Sequence, residues 1–533
     1  MAKTKVNIFS AQAMGATKQI NPVETLIYSV SNPGLMFALV YLMWAPFLYP
    51  GAHMVGAIGT VAQMFVIAGL YWLLSCAMPR SGGEYIYISR IIHPAVGLLS
   101  SFMISLTAIS WTGVLTNWWI KWAVVDFFKG VAILNNNDPK LMAIADFFMI
   151  SHVRFVLGTI ALMFVLLIYY KGITWMVKVS MATLTMTIVG AVAFLIATLT
   201  SGGQEVFSQN WTLYTGVDYQ SVINISVADG YPAKFLLIPT IMAGSTYIIL
   251  NTLGSTFGAN LAGEVRNVQK SQLLALFGSL TILMVVWAIF YGLCYANFGD
   301  IWTNCLMYLY NSGNAAYPFG DSEPFATLLI GILTGSPIFV FLIAIAFLVA
   351  TFGSATGLGF GPSRNFVAWA NDRIFPIKFS EPHPKTKAPM TTMYTVVGIA
   401  YFFFFLDVYH PVWTENISYT IFTWFMAWIC LGIAGMIFPY KRKVLYESSP
   451  PIVKIRIFGI PLVSILGFFT TIISIAICWY LIIPFMRGDL PSTMLIVSFG
   501  IAVAGLIIYF SSRARNRVKG IELKYQFMEI PSE

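Results

Sequence analysis

The sequence VETLIYSVSNPG, residues 23–34, begins an apolar span and interrupts it well before the span ends at Pro50. Pro33 removes a backbone donor and clashes with the preceding turn, and Gly34 weakens the helix further. Backbone groups near residues 30–35 therefore lose their helical partners. Such groups are tolerated at membrane depth only where protein buries them or where they line a cavity, and interrupted helices mark the binding sites of many transporters. An ordinary proline kink is the alternative interpretation.

A second interruption favours the cavity over the kink. The predicted span 235–260 contains LGSTFG, residues 253–258, so polar and glycine residues again fall in mid-span. Each interrupted span needs protein neighbours for its free backbone groups. We therefore predict that both breaks line one cavity near the middle of the membrane.

Composition sets the class of the protein. Of the 533 residues, 58% are hydrophobic and only 10% are charged, and the mean hydropathy is +0.78. No ordinary soluble domain has this composition, so we predict an all-α membrane protein that crosses the bilayer many times. The N-terminal segment lacks the apolar core of a removable signal peptide. Counting apolar stretches of about twenty residues predicts twelve spans: 22–50, 54–78, 93–122, 154–170, 173–200, 235–260, 272–298, 324–360, 391–407, 417–438, 455–484 and 493–511.

The basic residues predict an orientation. With the N-terminus in the cytoplasm, 24 of the 30 Lys and Arg residues fall on the cytoplasmic side or its boundary, and six fall outside: Lys121, Lys129, Lys140, Arg154, Lys234 and Arg487. This bias follows the positive-inside rule, so we expect a multi-pass protein of the cell membrane with both termini cytoplasmic. The basic clusters at 441–443 and 513–519 would face anionic lipid, and the net charge of +9 needs no nucleic-acid partner.

Other residue types argue against catalysis. The five cysteines are scattered without paired or metal-type spacing. The chain also lacks a His-Glu-x-x-His motif and paired intramembrane carboxylates. We therefore expect no enzyme activity, no metal and no cofactor. Glycosylation triplets begin at Asn210, Asn224 and Asn416, all on the predicted external side.

The end of the third predicted span is rich in tryptophan. Residues 118–122 read WWIKW, a pattern typical of an aromatic belt at the outer membrane interface. We predict that these rings anchor the span in lipid. The polar excursion 123–153 follows, and we predict a short interfacial helix within it at 140–150.

Three loop motifs carry a resemblance to a known family. Residues 77–87 read AMPRSGGEYIY, residues 261–270 read LAGEVRNVQK, and residues 361–376 read GPSRNFVAWANDRIFP. These motifs resemble, in the same order, loops of the amino acid-polyamine-organocation (APC) superfamily, and the resemblance covers residues 22–440. The chain departs from the pattern at Val268, where members usually have proline.

The resemblance implies the leucine-transporter fold. In that fold two inverted repeats of five helices each contain one broken helix, and here two further helices follow. The expected divisions are a cytoplasmic tail at 1–21, a first repeat at 22–200, an external loop at 201–234, a second repeat at 235–440, spans eleven and twelve at 441–511, and a basic cytoplasmic tail at 512–533.

The resemblance also implies how a substrate binds. Its carboxylate would rest on backbone amides of the first break and its ammonium on carbonyls of the second, which suits a zwitterion. Thr256 stands where many members carry an acidic residue, so we predict a secondary active transporter, or permease, for neutral amino acids that works by alternating access. The expected substrate-binding residues are Val30, Ser31, Asn32, Pro33, Gly34, Leu35, Leu250, Leu253, Gly254, Ser255 and Thr256.

Coupling has several candidates. Sodium-coupled relatives use hydroxyls of the eighth span, which points to Thr351 and Ser354, although both hydroxyls could equally bond to the preceding helical turn. Thr187 stands where some members carry a lysine in place of a coupling cation. Proton coupling would need Glu84 or Glu264. Sodium symport, proton symport and exchange stay open.

Two other functions also stay open. A transporter or exchanger of polyamines or other organocations would share the fold, and a non-transporting nutrient sensor would keep the binding site without the transport cycle.

Overall fold

The computed structural model describes residues 20–413 and 418–527 and is built almost entirely of helix. Within those residues twelve helices are long and apolar enough to cross a membrane. This confirms the predicted all-α, twelve-span architecture. Spans 1 to 12 are, in order, Pro22–Leu48, Met54–Ala77, Pro94–Leu134, Ser151–Lys171, Ile173–Thr200, Leu237–Leu261, Val268–Phe298, Pro337–Asn371, Met390–Tyr409, Tyr419–Lys441, Leu462–Arg487 and Thr493–Val518.

Shorter elements connect the spans. The α-helices among them are Gly83–Ile91, Pro139–Met149, Gly203–Thr215, Tyr219–Ala228, Asp300–Asn311, Ala326–Thr334, Lys443–Ser448 and Leu523–Gln526. The strands Arg456–Ile457 and Ile460–Pro461 form a small antiparallel hairpin. The helix predicted at 140–150 is present, and it is started by Asp138, whose side chain accepts from the Lys140 N–H at 2.8 Å.

Span 8 begins later than the sequence suggested. The prediction placed its start at 324, but the helix Ala326–Thr334 ends at Gly335, whose φ is 61°. Only glycine adopts this left-handed conformation at little cost, and Pro337 then starts the span as its first residue. Residues 326–334 therefore form a separate helix and not the first turns of span 8.

The connections between spans lie on two faces. Face A contains the start of span 1, the connections 2–3, 4–5, 6–7, 8–9 and 10–11, and the end of span 12; face B contains the remaining connections. On face A the Lys441 ammonium donates to the Ile92 carbonyl at 2.8 Å. On face B the Asn304 side chain donates to the Ala52 carbonyl at 2.9 Å. Such bonds join connections that are far apart in the sequence and hold each face together.

Spans 1, 3 and 6 form the centre of the bundle. The most apolar part of spans 1 and 3 is 89% buried and that of span 6 is 78% buried, against 28% for span 12. Glycine permits close approach around this centre. A Cβ at Gly113 of span 3 would overlap the Ala400 carbonyl of span 9, and one at Gly190 of span 5 would overlap Ala346 of span 8. The interrupted spans are therefore surrounded by protein and not by lipid.

Two ion pairs join helices of the bundle near face A. The Arg90 guanidinium binds both carboxylate oxygens of Asp372, at 2.5 and 2.7 Å, with side chains that are only 2% and 4% exposed. Arg364 of span 8 binds both oxygens of Glu264, at the end of span 6, at 2.7 and 3.1 Å. Such paired contacts fix orientation as well as distance. The two pairs tie helix Gly83–Ile91 and span 6 to the end of span 8.

We expect Asp372→Asn to destabilise the protein strongly. It leaves the Arg90 charge buried without its partner, and losing one partner of a buried pair costs about 3–5 kcal/mol. The exposed pair Lys443–Glu447 provides the control, because its side chains are 76% and 62% exposed and such pairs contribute about 0–1 kcal/mol. The melting temperature in detergent should therefore fall clearly for Asp372→Asn and hardly change for Glu447→Gln. Equal shifts in the two variants would contradict the assignment.

Candidate functional site

The first break separates span 1 into two halves. Helix Pro22–Ser31 starts with a capping box between Asn21 and Glu24. It ends where Pro33 supplies no N–H and Gly34 turns the chain with a φ of 72°. A short 3-10 turn then leads into the second half, Ala38–Leu48. The helix is therefore interrupted at VSNPG, residues 30–34, as the sequence indicated.

The second break begins slightly earlier than the sequence suggested. Span 6 passes through a π-helical segment, Gly244–Ile248, and turns at Asn251 and Thr252. Residues Leu253–Leu261 then continue as 3-10 helix. The predicted stretch LGSTFG is therefore wound more tightly than an α-helix, and the turn lies just before it.

The two breaks lie against each other. The side-chain nitrogen of Asn32 donates to the Gly254 carbonyl at 3.4 Å. The side-chain amide of Asn251 spans the first break. With its oxygen and nitrogen assigned so that both find partners, it donates to the Pro33 carbonyl at 2.9 Å and accepts from the Ala38 N–H at 3.3 Å. Each break therefore supplies hydrogen-bonding partners to the other.

A small cavity of about 50 Å³ lies beside the breaks. Spans 1, 3, 6, 8 and 10 all contribute to its wall, and none of the described residues that line it is charged. Those residues are Asn32, Pro33, Phe37, Tyr41, Trp111, Leu115, Trp122, Leu250, Asn251, Leu253, Gly254, Leu358, Thr420 and Trp424.

Five residues expected to bind substrate line this cavity, namely Asn32, Pro33, Leu250, Leu253 and Gly254. The others lie next to it and outside its wall: Val30, Ser31, Gly34, Leu35, Ser255 and Thr256. Several of them use their polar groups in hydrogen bonds within the protein. The Leu35 carbonyl accepts from the Trp287 indole at 3.1 Å, and the Thr256 hydroxyl donates to the Leu253 carbonyl at 2.8 Å. Their roles toward a substrate stay predictions.

The sequence reasoning missed the aromatic wall. Trp122 was assigned to a lipid-facing belt, but it is 4% exposed and lines the cavity. That prediction was wrong because span 3 does not end at Trp122; it continues to Leu134 through a π-helical segment. A signal was present. Trp111, Leu115 and Trp118 precede Trp122 at spacings of four, three and four residues, which place all four on one helix face.

The cavity wall offers one polar group without a partner. The Trp424 indole nitrogen is buried, and no residue in the described part of the chain accepts its hydrogen bond. The Trp111 indole, by contrast, donates to the Thr420 hydroxyl at 2.6 Å. The Trp424 N–H is therefore an unsatisfied donor beside the cavity.

The hydroxyls proposed for ion coupling differ in their surroundings. Thr351 donates to the Phe347 carbonyl at 2.6 Å and Thr187 to the Thr183 carbonyl at 2.7 Å, which are bonds to their own preceding turns. Ser354 instead reaches the first break and donates to the Ser31 carbonyl at 3.4 Å. Of the three, only Ser354 makes a hydrogen bond to the broken part of span 1.

The two carboxylates considered for proton coupling also differ. Glu264 is paired with Arg364. Glu84 is 1% exposed and accepts hydrogen bonds from the Asn365 amide at 3.0 Å and the Tyr71 hydroxyl at 3.3 Å, and among the described residues no base forms an ion pair with it. Burial raises the pKa of the Glu84 carboxyl to about 7. Glu84 can therefore gain and lose a proton near neutral pH.

A wider cavity of about 580 Å³ lies on the face B side. Trp122 lines both this cavity and the small one, so its side chain forms part of the wall between them. On the opposite side, the Arg90–Asp372 and Arg364–Glu264 pairs hold the helices together. The two ion pairs thus join helices on the face A side, and the wider cavity lies toward face B.

These features define a class of protein: a multi-pass membrane transporter with two apposed helix breaks beside a small cavity. The sequence profile described as Amino acid permease matches residues 49–520, and the chain belongs to the amino acid permease family. It is therefore a membrane transporter of amino acids or organocations. No curated protein sequence matched the chain. The matched range starts after the first break, so assignments for residues 23–34 depend on the geometry.

We expect Gly357→Ala to disturb the site. A Cβ at Gly357 of span 8 would overlap the side-chain oxygen of Asn32, and overpacking of a buried contact costs about 1–3 kcal/mol. Gly398 of span 9 is the control, because a Cβ there meets nothing within 4 Å. Uptake of an amino acid mixture and the melting temperature should both fall in Gly357→Ala and match the parent in Gly398→Ala. Unchanged uptake in Gly357→Ala would contradict the placement of Asn32.

Proposed function

We propose that the chain is a secondary active transporter that carries neutral amino acids by alternating access. The observation that carries this proposal is the uncharged wall of the small cavity, to which five spans contribute. Moving an extra charge from water into such a place costs several kcal/mol unless an opposite charge meets it. A neutral zwitterion brings both charges itself and needs only dipoles to receive them.

The breaks provide such dipoles. The second half of span 1 begins after Gly34 with N–H groups that have no partner in a preceding turn, which favours the substrate carboxylate there. The Trp424 indole adds a donor. The first half of span 6 ends at the turn of Asn251 and Thr252, and the negative end of its helix dipole there favours the ammonium.

The small cavity also supports a cycle of opening and closing. The cavity at the breaks has about 50 Å³ against about 580 Å³ for the cavity toward face B, so we infer that its wall moves when an amino acid enters. Trp122 lines both this cavity and the cavity toward face B. We infer that the aromatic side chains move to admit substrate from face B, and that separation of the two ion pairs opens face A.

Charge supports the orientation. We propose that face A is cytoplasmic and that the protein lies in the plasma membrane, because 24 of 30 basic residues belong to face A or its boundary. Asn210 and Asn224 lie on face B, in helices Gly203–Thr215 and Tyr219–Ala228. The third glycosylation triplet begins at Asn416, outside the described residues.

Substrate charge can be tested at Leu358, which lines the cavity from span 8. Uptake of a labelled neutral amino acid into proteoliposomes is measured with a large excess of unlabelled lysine. We expect lysine to leave uptake by the parent and by Leu358→Gln unchanged, and to compete in Leu358→Glu, because only that variant supplies a counter-charge. Leu358→Gln controls for the change in shape.

Other outcomes favour the alternatives. Strong competition by lysine in the parent would support an organocation transporter of the same fold. Binding of a neutral amino acid without any uptake would support a nutrient sensor.

Coupling to protons is supported by Glu84. Its raised pKa, about 7, lies above the value of 4.5 for an unperturbed group, so the protonated form is favoured in the folded state. Protonated Glu84 therefore stabilises the folded protein fully below about pH 4.5, and this stabilisation is lost as the pH rises through about 7. The Ser354 hydroxyl, which donates to the Ser31 carbonyl of the first break, supports sodium coupling instead.

We expect Glu84→Gln to abolish uptake driven by a pH gradient. Gln keeps the shape and cannot exchange a proton. The melting temperature of the parent should fall between pH 5 and pH 8, and this fall should be smaller in Glu84→Gln. Uptake driven by a sodium gradient in the parent, with no effect of Glu84→Gln, would reject proton coupling.

A further inference from the structure

The connection between spans 10 and 11 ends in a small hairpin on face A, residues 454–461. Strand Arg456–Ile457 pairs with strand Ile460–Pro461, and the Leu462 N–H donates to the Ile455 carbonyl at 2.8 Å. All residues from 454 to 460 are exposed. A two-stranded hairpin is only marginally stable in water by itself, so this one gains stability from a partner that covers its apolar side.

The hairpin has one apolar side. Ile457 lies directly opposite Ile460, and residues opposite each other point to the same side of a hairpin. They are 42% and 49% exposed, so the described part of the chain leaves much of this pair uncovered. Arg456 precedes Ile457 in the same strand and therefore points to the other side. The hairpin is thus amphipathic.

Phe458 forms the tip of the hairpin and is 99% exposed. Its φ is 49° and that of Gly459 is 80°. These are the left-handed values of a tight hairpin turn, whose first central position usually carries Asn, Asp or Gly. A bulky residue in this conformation is uncommon. The turn alone therefore does not explain why an aromatic side chain stands at the tip.

The hairpin lies at the membrane surface. Ile460 is two residues before Leu462, where span 11 begins, and two residues of chain reach at most about 7 Å. Span 11 has 26 residues. At 1.5 Å per residue it is about 39 Å long, against about 30 Å for the hydrocarbon core of a bilayer. The ends of span 11, and the hairpin beside one of them, therefore lie at the depth of the lipid head groups.

The charge of the connection suits anionic lipid. Between residues 440 and 462 there are five basic residues and one acidic residue. Lys454 and Arg456 lie next to the apolar side chains of the hairpin and are exposed. Basic residues beside aromatic and aliphatic ones are typical of segments that lie in the interface of an anionic membrane.

We propose that the hairpin binds the anionic lipid surface of the membrane that the protein spans. Phe458, Ile457 and Ile460 point toward the acyl chains, and the basic side chains lie among the lipid phosphates. The surface is distinct from both cavities, and the proposal does not depend on which substrate the chain transports.

The same connection reaches the ion pairs of face A. The Arg442 guanidinium donates to the Arg90 carbonyl, and the Arg90 side chain binds Asp372. Lipid bound at the hairpin therefore anchors the segment that supports the Arg90–Asp372 pair.

The test measures the depth of residue 460 in the purified full-length protein, reconstituted in nanodiscs of phosphatidylglycerol and phosphatidylcholine. A nitroxide label is attached to Ile460→Cys in a Cys430→Ser background, because the other four native cysteines are buried. Collisions of the label with oxygen, which concentrates in lipid, are compared with collisions with a neutral, water-soluble nickel complex. We expect oxygen to dominate. Ser448→Cys, in the exposed part of helix Lys443–Ser448 on the same face, is the control and should meet mainly the nickel complex.

Further variants separate the apolar and the charged contributions. Phe458→Asp should move the label at residue 460 toward water, and Phe458→Leu should leave it in lipid. The double variant Lys454→Gln with Arg456→Gln, and nanodiscs of phosphatidylcholine alone, should each increase collisions with the nickel complex. These side chains are exposed, so the melting temperature should equal that of the parent, and a change at the label then reports its position.

Two results would overturn the proposal. In the first, the label at residue 460 meets the nickel complex as often as the label at residue 448 does, which would mean that the apolar side of the hairpin faces water or awaits a soluble partner. In the second, neither Phe458→Asp nor removal of the anionic lipid changes the depth of the label. Because the readout is depth in lipid, failure of amino acid uptake would leave this result intact.

Discussion

Backbone groups released from a helix inside the bilayer have no water to bind, so each needs a partner from the protein. Asn251 meets this need for the first break, because its one amide group serves the Pro33 carbonyl and the Ala38 N–H. Asn32 serves the second break through the Gly254 carbonyl. The need for such partners brings spans 1 and 6 together, and the close packing of spans 3, 5, 8 and 9 around glycines surrounds them with protein.

Much of this arrangement could be predicted from local sequence. Twelve apolar stretches, a proline and glycine in mid-span and three loop motifs are each visible within a few residues. The wall of the cavity was harder to predict, because it is assembled from spans separated by hundreds of residues. Trp122 looked like an interfacial anchor since tryptophan favours both the membrane interface and buried walls. Only the continuation of span 3 to Leu134 distinguishes the two, and its π-helical segment leaves no clear mark in the sequence.

The position of the second turn shows a similar limit. Polar residues and glycines indicated residues 253–258, but the chain turns at Asn251 and Thr252 and then winds as 3-10 helix. The composition of span 6 indicates roughly where its helix is weak. The exact position of the turn depends on hydrogen bonds to the first break, which the local sequence does not reveal. The two cavities also differ in charge. Carboxylates line the wider cavity toward face B, where water and ions can screen them, whereas the described residues around the cavity at the breaks supply only dipoles.

The burial of the broken spans has a consequence for how the chain enters a membrane. Span 6 has the lowest mean hydropathy of the twelve spans found in the described residues, and span 1 is also among the lower ones, yet both are mostly buried in the finished bundle. Lipid alone holds such helices weakly during synthesis. Span 1 must wait for partners that are made long afterwards, including span 8, whose Ser354 contacts the first break. Membrane insertion of the first half is therefore completed only when the second half arrives, and a nascent chain truncated between them would expose polar backbone to lipid or to the insertion machinery.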